Sequence, residues 1–275
     1  MIKSFSKVNL FLKVLKKNRD KLHNIQSNTV LVNLYDQIEI KKINEKKDKI
    51  NFTGRFKENV KKKDNSIIRS LNLLRSYNLI DKANRYKITI NKKIPVFSGL
   101  GGGTSNAFYI IKYFLKNKLN EKLVKIFEKK IGSDFRLFFY KNSVQKRLKD
   151  ISKLNIKKNI FLILVYPNVK CSTKEIYGKV KRYSSPISFN NIKHKYISFL
   201  KKQNNDLQTI VEKKYPKIKN LLIEIQNQNK CVFARMTGSG SVCFGIFLDK
   251  KSAGAALKKI RKKFPSYFCD LAKNI

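Results

Sequence analysis

The chain has 275 residues, and 62 Lys and Arg against 18 Asp and Glu give it a formal net charge of +44. A chain of this length can bury a core in one large or two ordinary domains. It contains no apolar window of membrane-spanning length and begins with a predicted strand instead of an apolar signal segment. Its four cysteines are far apart, as in reduced cytosolic proteins. We therefore expect a cytoplasmic protein without a membrane partner.

The positive charge has two explanations. A strongly basic chain is typical of nucleic-acid-binding proteins. The lysines, however, are spread along the chain among many Asn and Ile, and all three residues have A/T-rich codons. The strongest basic runs, 57–63 and 258–263, have few aromatic residues on which single-stranded bases would stack. We therefore expect no specific nucleic-acid partner, although a cationic surface attracts polyanions such as ATP.

Alternating apolar residues predict strands, and apolar residues at helical spacing predict helices. Before residue 132 the predicted elements are strands over 3–15, 29–34, 37–41 and 86–90 and helices over 66–79, 107–115 and 122–131. After it they are strands over 160–165, 231–236 and 242–248 and helices over 207–213, 218–226 and 253–263. Their irregular alternation favours an α+β fold. The polar stretch 142–158 is the best boundary between two domains, 1–150 and 151–275.

The most informative stretch is a glycine loop between a strand and a helix, Pro95-Val96-Phe97-Ser98-Gly99-Leu100-Gly101-Gly102-Gly103-Thr104-Ser105-Asn106-Ala107. Four glycines in five positions lack the β-carbons that keep a large anion away from the backbone. Backbone N–H groups and the helix N-terminus can then bind phosphate. The loop lacks the lysine of a Walker motif and the third glycine of a dinucleotide motif. It predicts a nucleotide enzyme of another class.

Four segments then resemble one kinase superfamily in consistent order: Ser6-Lys7-Val8-Asn9-Leu10-Phe11-Leu12, the glycine loop, Gly132-Ser133-Asp134-Phe135 and Met236-Thr237-Gly238-Ser239-Gly240-Ser241. The superfamily is named for galactokinase, homoserine kinase, mevalonate kinase and phosphomevalonate kinase. The triple glycine before Thr-Ser-Asn-Ala is most similar to its 4-diphosphocytidyl-2-C-methyl-D-erythritol kinase family. Asn205-Asp206-Leu207 also resembles the N-D-L of that family.

The resemblance implies a two-domain α+β fold, with an N-terminal domain like ribosomal protein S5 domain 2 and a ferredoxin-like C-terminal domain. It implies phosphorylation of the 2-hydroxyl of 4-diphosphocytidyl-2-C-methyl-D-erythritol, in non-mevalonate isoprenoid synthesis, with ATP and Mg²⁺. The partner is then a small molecule, a cytidine diphosphate-linked methylerythritol, and the protein is a monomer or a homodimer.

The resemblance also implies the residues of the site. Lys7 matches the catalytic lysine and Asp134 the catalytic aspartate. A carboxylate can take the proton of a hydroxyl nucleophile, and an ammonium can neutralise the phosphoryl charge and hold the carboxylate ionised. The implied ATP-binding residues are Pro95, Gly99, Leu100, Gly101, Gly102, Gly103, Thr104, Ser105, Asn106 and Asn65, with Ser105 also a candidate Mg²⁺ ligand. The implied substrate-binding residues are Asn9, His23, Gly238 and Ser239.

Several of these residues have a structural alternative. Asn65, or Asp64 beside it, can be a helix cap, His23 can be a structural histidine, and Gly238 can belong to a turn between two strands. Each alternative stays open at the level of sequence.

The chain also departs from the family. Its D-G-Y-H segment is Asp20-Lys21-Leu22-His23, so Leu22 replaces the aromatic expected to stack on cytosine. Phe11 or a neighbouring tyrosine is a candidate replacement. Arg136 stands where a proline is usual, and either contacts phosphate or reflects the basic composition. The loss of the stacking aromatic is the main support for a second hypothesis, a kinase of the superfamily with another acceptor alcohol. The positive charge is the only support for a third, a basic RNA-associated protein with an S5-like fold.

Overall fold

A computed structural model describes residues 1–18, 22–61, 63–116, 118–156, 158–190, 192 and 195–275. Asp20 and Lys21 of the tetrapeptide before the second strand, and Lys62 of the first basic run, lie outside these ranges. The chain forms two compact units. Unit 1 comprises Met1–Ser6, Leu34–Val96 and Gly101–Phe139, and unit 2 comprises Lys7–Asn33, Phe97–Leu100 and Tyr140–Ile275. The units are interleaved along the sequence, whereas the predicted domains are contiguous, and that division at residue 150 stays a prediction.

Strands and helices are mixed, as expected for an α+β fold. The first elements are β1 (Ile2–Lys17), β2 (His23–Ile43), β3 (Lys49–Thr53), α1 (Ser66–Ser76), β4 (Arg85–Asn91), α2 (Gly102–Leu115), α3 (Glu121–Lys130), β5 (Asn142–Arg147) and β6 (Asp150–Lys153). The remaining ones are β7 (Phe161–Tyr166), α4 (Thr173–Gly178), α5 (Tyr196–Lys201), α6 (Gln208–Lys214), α7 (Pro216–Gln226), β8 (Phe233–Met236), β9 (Cys243–Phe247), α8 (Lys250–Lys263) and β10 (Phe268–Lys273). No helix in the described ranges combines the length and apolar character needed to cross a bilayer.

In unit 1, β4 lies between two strands and anchors the start of the glycine loop. It pairs antiparallel with β2, from Gln37 opposite Asn91 to Ile43 opposite Arg85, and parallel with β3. Apolar side chains of the strands pack against α1 and α2, and they include Ile38, Ile88, Ile90, Ile67, Leu71 and Ile110. The loop between β4 and α2 therefore starts and ends on elements that share one core.

In unit 2, the antiparallel sheet has the order β10-β7-β9-β8. Its core includes Ile163, Val165 and Phe247 from the sheet and Leu221, Ile225, Leu257 and Ile260 from α7 and α8. The polar stretch chosen as a domain boundary contains two strands that the sequence did not predict: β5 pairs with Ser27–Val30 of β2, and β6 pairs with β5. Strand β8 ends at Met236, where the turn of the fourth family-like segment begins.

The cysteines are free thiols, as the sequence predicts. Cys171, Cys243 and Cys269 are buried, and Cys231 is partly buried. Burial raises the pKa of the Cys171 and Cys231 thiols to about 11. These groups are therefore protonated, unreactive packing residues at neutral pH.

A buried ion pair fixes the chain just before the glycine loop. Asp36 of β2 is fully buried, and its Oδ1 accepts hydrogen bonds from the backbone N–H groups of Lys93 (2.7 Å) and Ile94 (2.9 Å). Its Oδ2 accepts from the ammonium of Lys92, which is also buried. One carboxylate thus holds three donors at the bend that leads into the loop.

We expect Asp36→Ala to lower the free energy of unfolding by about 3–5 kcal/mol, because it leaves the Lys92 ammonium buried without its anion. Chemical denaturation measures this change. Glu39→Ala is the matched control, since Glu39 lies on the same strand and its ion pair with Lys41 is exposed; it should change stability little. An Asp36→Ala protein as stable as the control would contradict the role of the pair.

Candidate active site

Lys7 and Asn9 point to the same side of β1, because side chains two residues apart on a strand share a face. Both are buried, and the Lys7 ammonium donates a hydrogen bond to Asn9 Oδ1. Asn9 Nδ2 donates to Ser27 Oγ (2.9 Å) and Thr29 Oγ1 (3.0 Å) on β2. These two acceptors fix the amide with its oxygen toward the ammonium. The predicted catalytic lysine is therefore held by a neutral, fully oriented partner.

The turn after β8 packs directly on this pair. Gly238 has a φ of +55°, and a β-carbon there would lie 3.3 Å from both Lys7 Nζ and Asn9 Oδ1. Thr237 Oγ1 accepts from the backbone N–H of Asn9 (2.9 Å). Only a glycine gives both this backbone conformation and this close approach. The turn is thus structural and, at the same time, part of the Lys7 environment.

Asn205 holds the same turn from the other side. Its Nδ2 donates to the carbonyls of Met236 (2.7 Å) and Gly238 (2.8 Å), and its Oδ1 accepts from the N–H of Leu207 (3.0 Å). Sequence reasoning quoted this residue for its N-D-L resemblance but gave it no role. Thr173, whose Oγ1 lies 2.9 Å from Ser239 Oγ, was also given none. The resemblance was the only sequence signal for Asn205.

The first half of the glycine loop belongs to this arrangement. Gly99 has a φ of +81°, and a β-carbon there would overlap the carbonyl oxygen of Thr237. The carbonyl of Leu100 accepts from the N–H of Lys7 (3.0 Å), and that of Ser98 accepts from the N–H of Val242 (3.0 Å). Unit 2 therefore brings together five predicted site residues, which are Lys7, Asn9, Gly99, Leu100 and Gly238.

The second half of the loop forms the start of α2. Gly101 is its N-cap, with a φ of +71° and no side-chain oxygen to cap the first turn. A β-carbon on Gly102 would lie 2.9 Å from Ile94 Cγ2, so this residue must be small for the helix to approach the bend. Gly103 is exposed. The uncapped N-terminus of a 14-residue helix can bind an anion through its N–H groups and its dipole.

The two hydroxyls after the glycines differ in their surroundings. Ser105 is fully buried; its Oγ donates to the carbonyl of Phe5 (2.6 Å) and lies 2.8 Å from Ser4 Oγ. Asn106 is also buried and accepts from Ser4 Oγ (2.8 Å). Thr104 is partly exposed. Ser105 and Asn106 thus attach α2 to β1, and Thr104 is the more accessible hydroxyl.

The turn that carries Asp134 lies against the first turn of α2. A β-carbon on Gly132 would lie 3.3 Å from Thr104 Oγ1. Asp134 is partly buried and starts a short 3-10 turn over Phe135–Phe139, in which its carbonyl accepts from the N–H of Leu137 (3.0 Å). Unit 1 therefore brings the predicted catalytic aspartate into the same region as the predicted phosphate-binding residues.

Arg136 is held by two carboxylates of α3. Its Nε donates to Glu128 (2.9 Å) and its Nη2 to Glu121 (2.7 Å). These partners raise the pKa of the guanidinium above its ordinary value. These ion pairs join the Asp134 turn to α3, a structural role that neither interpretation from the sequence included, and contact with phosphate stays a prediction.

Asn65 caps α1, as the sequence suggested. Its Oδ1 accepts from the N–H groups of Ile67 (3.0 Å) and Ile68 (3.1 Å). Its Nδ2 donates to the carbonyl of Lys61 (3.1 Å). Its contact with ATP stays a prediction.

His23 lies beside two tyrosines in unit 2. The ring centres are 5.1 Å apart for Tyr177 and 6.3 Å apart for Tyr183. Burial and the nearby charge of Lys17 lower the pKa of the imidazole, so His23 is neutral at pH 7. Tyr183 is 47 % exposed, whereas Phe11 is fully buried between Phe189 and Phe199. Of the replacements considered for the missing aromatic at Leu22, a tyrosine is thus available to a ligand and Phe11 is not.

Comparison with known proteins places this chain in one superfamily. The family described as GHMP kinases C terminal matches residues 193–266. A 4-diphosphocytidyl-2-C-methyl-D-erythritol kinase of Pelagibacter ubique (strain HTCC1062) is 37 % identical over 282 residues, covering 100 % of this chain and 98 % of that protein. The enzyme of the same name from Buchnera aphidicola subsp. Schizaphis graminum is 36 % identical, covering 90 % of this chain and 85 % of that protein.

Solved structures show the same fold. A crystal structure of 4-(cytidine 5'-diphospho)-2C-methyl-D-erythritol kinase has a TM-score of 0.76 at 17 % identity, covering 98 % of each chain. A crystal structure of mevalonate kinase has a TM-score of 0.66 at 20 % identity, again covering 98 % of each chain. The predicted α+β fold of the GHMP kinase superfamily is confirmed.

We expect Gly238→Ala to lower kcat by about tenfold or more with little change in ATP affinity, because the new methyl group displaces the Lys7 ammonium from Asn9. Steady-state kinetics together with ATP calorimetry measure the two effects. Gly254→Ala is the control, since a β-carbon on this α8 glycine has no atom within 4 Å. An unchanged kcat in Gly238→Ala would show that the position of Lys7 does not matter for turnover.

Proposed function

Because the chain belongs to the 4-diphosphocytidyl-2-C-methyl-D-erythritol kinase family, we propose that it transfers the γ-phosphoryl group of ATP to the 2-hydroxyl of 4-diphosphocytidyl-2-C-methyl-D-erythritol. It is a small-molecule kinase with the GHMP fold, and this acceptor belongs to non-mevalonate isoprenoid synthesis. The observation that carries the proposal is the buried Lys7–Asn9 pair, which the turn at Gly238 and the loop at Gly99 and Leu100 enclose.

The glycine loop binds the triphosphate of ATP. The N-terminal N–H groups of α2 face the phosphates, and Gly101 contributes no side chain that would compete for them. Thr104 carries the partly exposed hydroxyl of this turn and contacts the phosphates as well. The remaining predicted ATP contacts, from Pro95 to Asn106 and at Asn65, belong to the same proposal.

Lys7 and Asp134 carry the chemistry. Phosphoryl transfer depends mainly on positioning and on charge neutralisation. The Lys7 ammonium neutralises charge on the migrating group, and Asn9 orients that ammonium. Asp134 accepts the proton of the attacking hydroxyl. Gly238 and Ser239 line the acceptor region, where Ser239 is paired with Thr173.

His23 and Tyr183 bind the cytosine of the acceptor. A neutral imidazole both donates and accepts a hydrogen bond, which suits the edge of a pyrimidine base. The exposed ring of Tyr183 offers a stacking face near it. In this proposal, His23 and Tyr183 take over the role of the aromatic residue that the family has at the position of Leu22.

Mg²⁺ fits these residues as an ion bound largely through ATP. Magnesium in kinases keeps several waters and takes phosphate oxygens and one or two protein ligands. Ser105 Oγ, the protein ligand that the sequence predicted, is fully buried and donates to the carbonyl of Phe5, so the partly exposed hydroxyl of Thr104 is the more accessible candidate ligand in this turn. The ion supplies charge neutralisation between the phosphates. We propose a cytoplasmic enzyme, a monomer or homodimer, with no specific nucleic-acid partner.

The proposal is tested by ADP release over a panel of acceptor alcohols. We expect turnover with 4-diphosphocytidyl-2-C-methyl-D-erythritol and little with mevalonate or homoserine, since neither carries a base for His23 and Tyr183. Turnover restricted to another alcohol would support the alternative acceptor. ADP formation with none of the three would overturn the kinase assignment proposed for this substrate class.

Lys7→Ala should lower kcat by about 100-fold or more, and Asp134→Asn by about 100-fold to 10,000-fold, with ATP affinity nearly unchanged in both. Stopped-time ADP assays and ATP calorimetry measure the two quantities. Lys41→Ala is the control, since this lysine forms an exposed pair with Glu39. A near-wild-type rate in either site variant would show that its assigned role is wrong.

A further inference from the structure

Asp206 follows Asn205 in the chain, but its carboxylate binds a different part of unit 2. Its backbone N–H donates to the carbonyl of Leu12 on β1 (2.9 Å). Its Oδ2 accepts from the backbone N–H of Val14 (2.7 Å), also on β1, and from the hydroxyl of Ser184 (2.7 Å). The Asp206 side chain is only 12 % exposed. Asp206 is therefore fixed to β1, and it holds Ser184 from that strand.

The segment that contains Ser184 has no regular secondary structure. Residues 180–189 form neither helix nor strand. The N–H of Ser184 donates to the carbonyl of Val14 (2.8 Å), and Gln26 of β2 binds the N–H (2.8 Å) and the carbonyl (3.1 Å) of Ile187. A segment outside helices and sheets keeps one conformation only through bonds of this kind. Asp206 supplies the side-chain anchor at Ser184.

Tyr183 is the residue next to this anchor. Its ring is 47 % exposed, and its centre lies 6.3 Å from that of the His23 ring. A half-exposed side chain on an irregular segment has considerable freedom unless its backbone is fixed. The bond from Ser184 to Asp206 fixes the neighbouring residue and so restricts the positions that the Tyr183 ring takes beside His23.

We propose that Asp206 is a positioning residue for the acceptor, which keeps the ring of Tyr183 beside His23 by holding Ser184. This inference rests on the proposed function, in which His23 and Tyr183 bind the cytosine of the acceptor. A binding surface that is ordered before its ligand arrives loses less entropy on binding. The role of Asp206 is thus in the affinity for the base and not in the transfer of the phosphoryl group.

Asp206→Ala should raise the Kd for cytidine 5'-diphosphate, measured by calorimetry, and the KM for the acceptor by about fivefold to tenfold. The KM for ATP and kcat should stay within about twofold of those of the unmodified protein, since the anchor acts on the base alone. Asp206→Asn keeps an oxygen that can accept both hydrogen bonds, and it should restore the affinity to within about twofold.

Asp249→Ala is the matched control. It also removes a carboxylate of unit 2, one that caps α8 by accepting from the N–H of Ser252 (2.7 Å). It should lower stability and leave the affinity for cytidine 5'-diphosphate unchanged. An Asp206→Ala protein that binds this ligand as tightly as the control would overturn the proposal.

A double-mutant cycle shows whether Asp206 acts through Tyr183. Tyr183→Ala should weaken the binding of cytidine 5'-diphosphate by about tenfold. Asp206→Ala should then add little to this loss, because the ring that it positions is absent. Losses that add in full would overturn the positioning role. Ser184→Ala leaves the bond between Asp206 and Val14 in place, and it measures the same coupling with a smaller disturbance of the fold.

The proposed function fails on different results. An unchanged affinity for cytidine 5'-diphosphate in Tyr183→Ala would overturn both the cytosine assignment and the role of Asp206. A loss in Tyr183→Ala without one in Asp206→Ala would overturn the role of Asp206 alone. Absence of ADP formation by the unmodified protein would contradict the kinase assignment, while the binding measurements would still decide the role of Asp206.

Discussion

The candidate site depends on the close approach of three backbone segments around one buried ammonium. Lys7 can sit against Asn9 only because the turn at Gly238 and the loop at Gly99 carry no β-carbons. The polar partners on β2 then fix the amide, and Asn205 fixes the turn. Desolvating a charge is costly unless its surroundings are polar and well ordered. The fold provides that order through hydrogen bonds of the main chain and of neutral side chains.

Buried polar residues explain both what the sequence predicted and what it did not. The apolar alternation of β1 and the helical spacing after Gly102 are strong, and both elements form. The strands predicted over 29–34 and 37–41 are parts of one strand, β2. Asp36 lies in the gap between them, and its pairing with Lys92 satisfies its charge inside the strand. Strand β5 was missed because Ser143 and Gln145 are polar but buried.

The residues of the candidate site also divide into those that the sequence predicted and those that it did not. The glycine loop, Lys7, Asn9 and the turn at Gly238 were predicted from motifs, since close backbone approach requires glycine in a recognisable order. The position of Ser105 was not, because a serine after a phosphate loop gives no sign that its hydroxyl binds a neighbouring strand. The tyrosines beside His23 were considered only as a possibility, because residues 177 and 183 are far from it in sequence and only the folded chain brings them together.

The interleaving of the two units along the sequence limits how a unit can be exchanged between related proteins. The backbone passes between them at five points, after residues 6, 33, 96, 100 and 139. One cut cannot release either unit intact, and exchanging one of them with a relative would require several simultaneous crossovers. Recombination is therefore a poor route to new acceptor specificity in this architecture, and gradual point substitution around a retained scaffold is the accessible one.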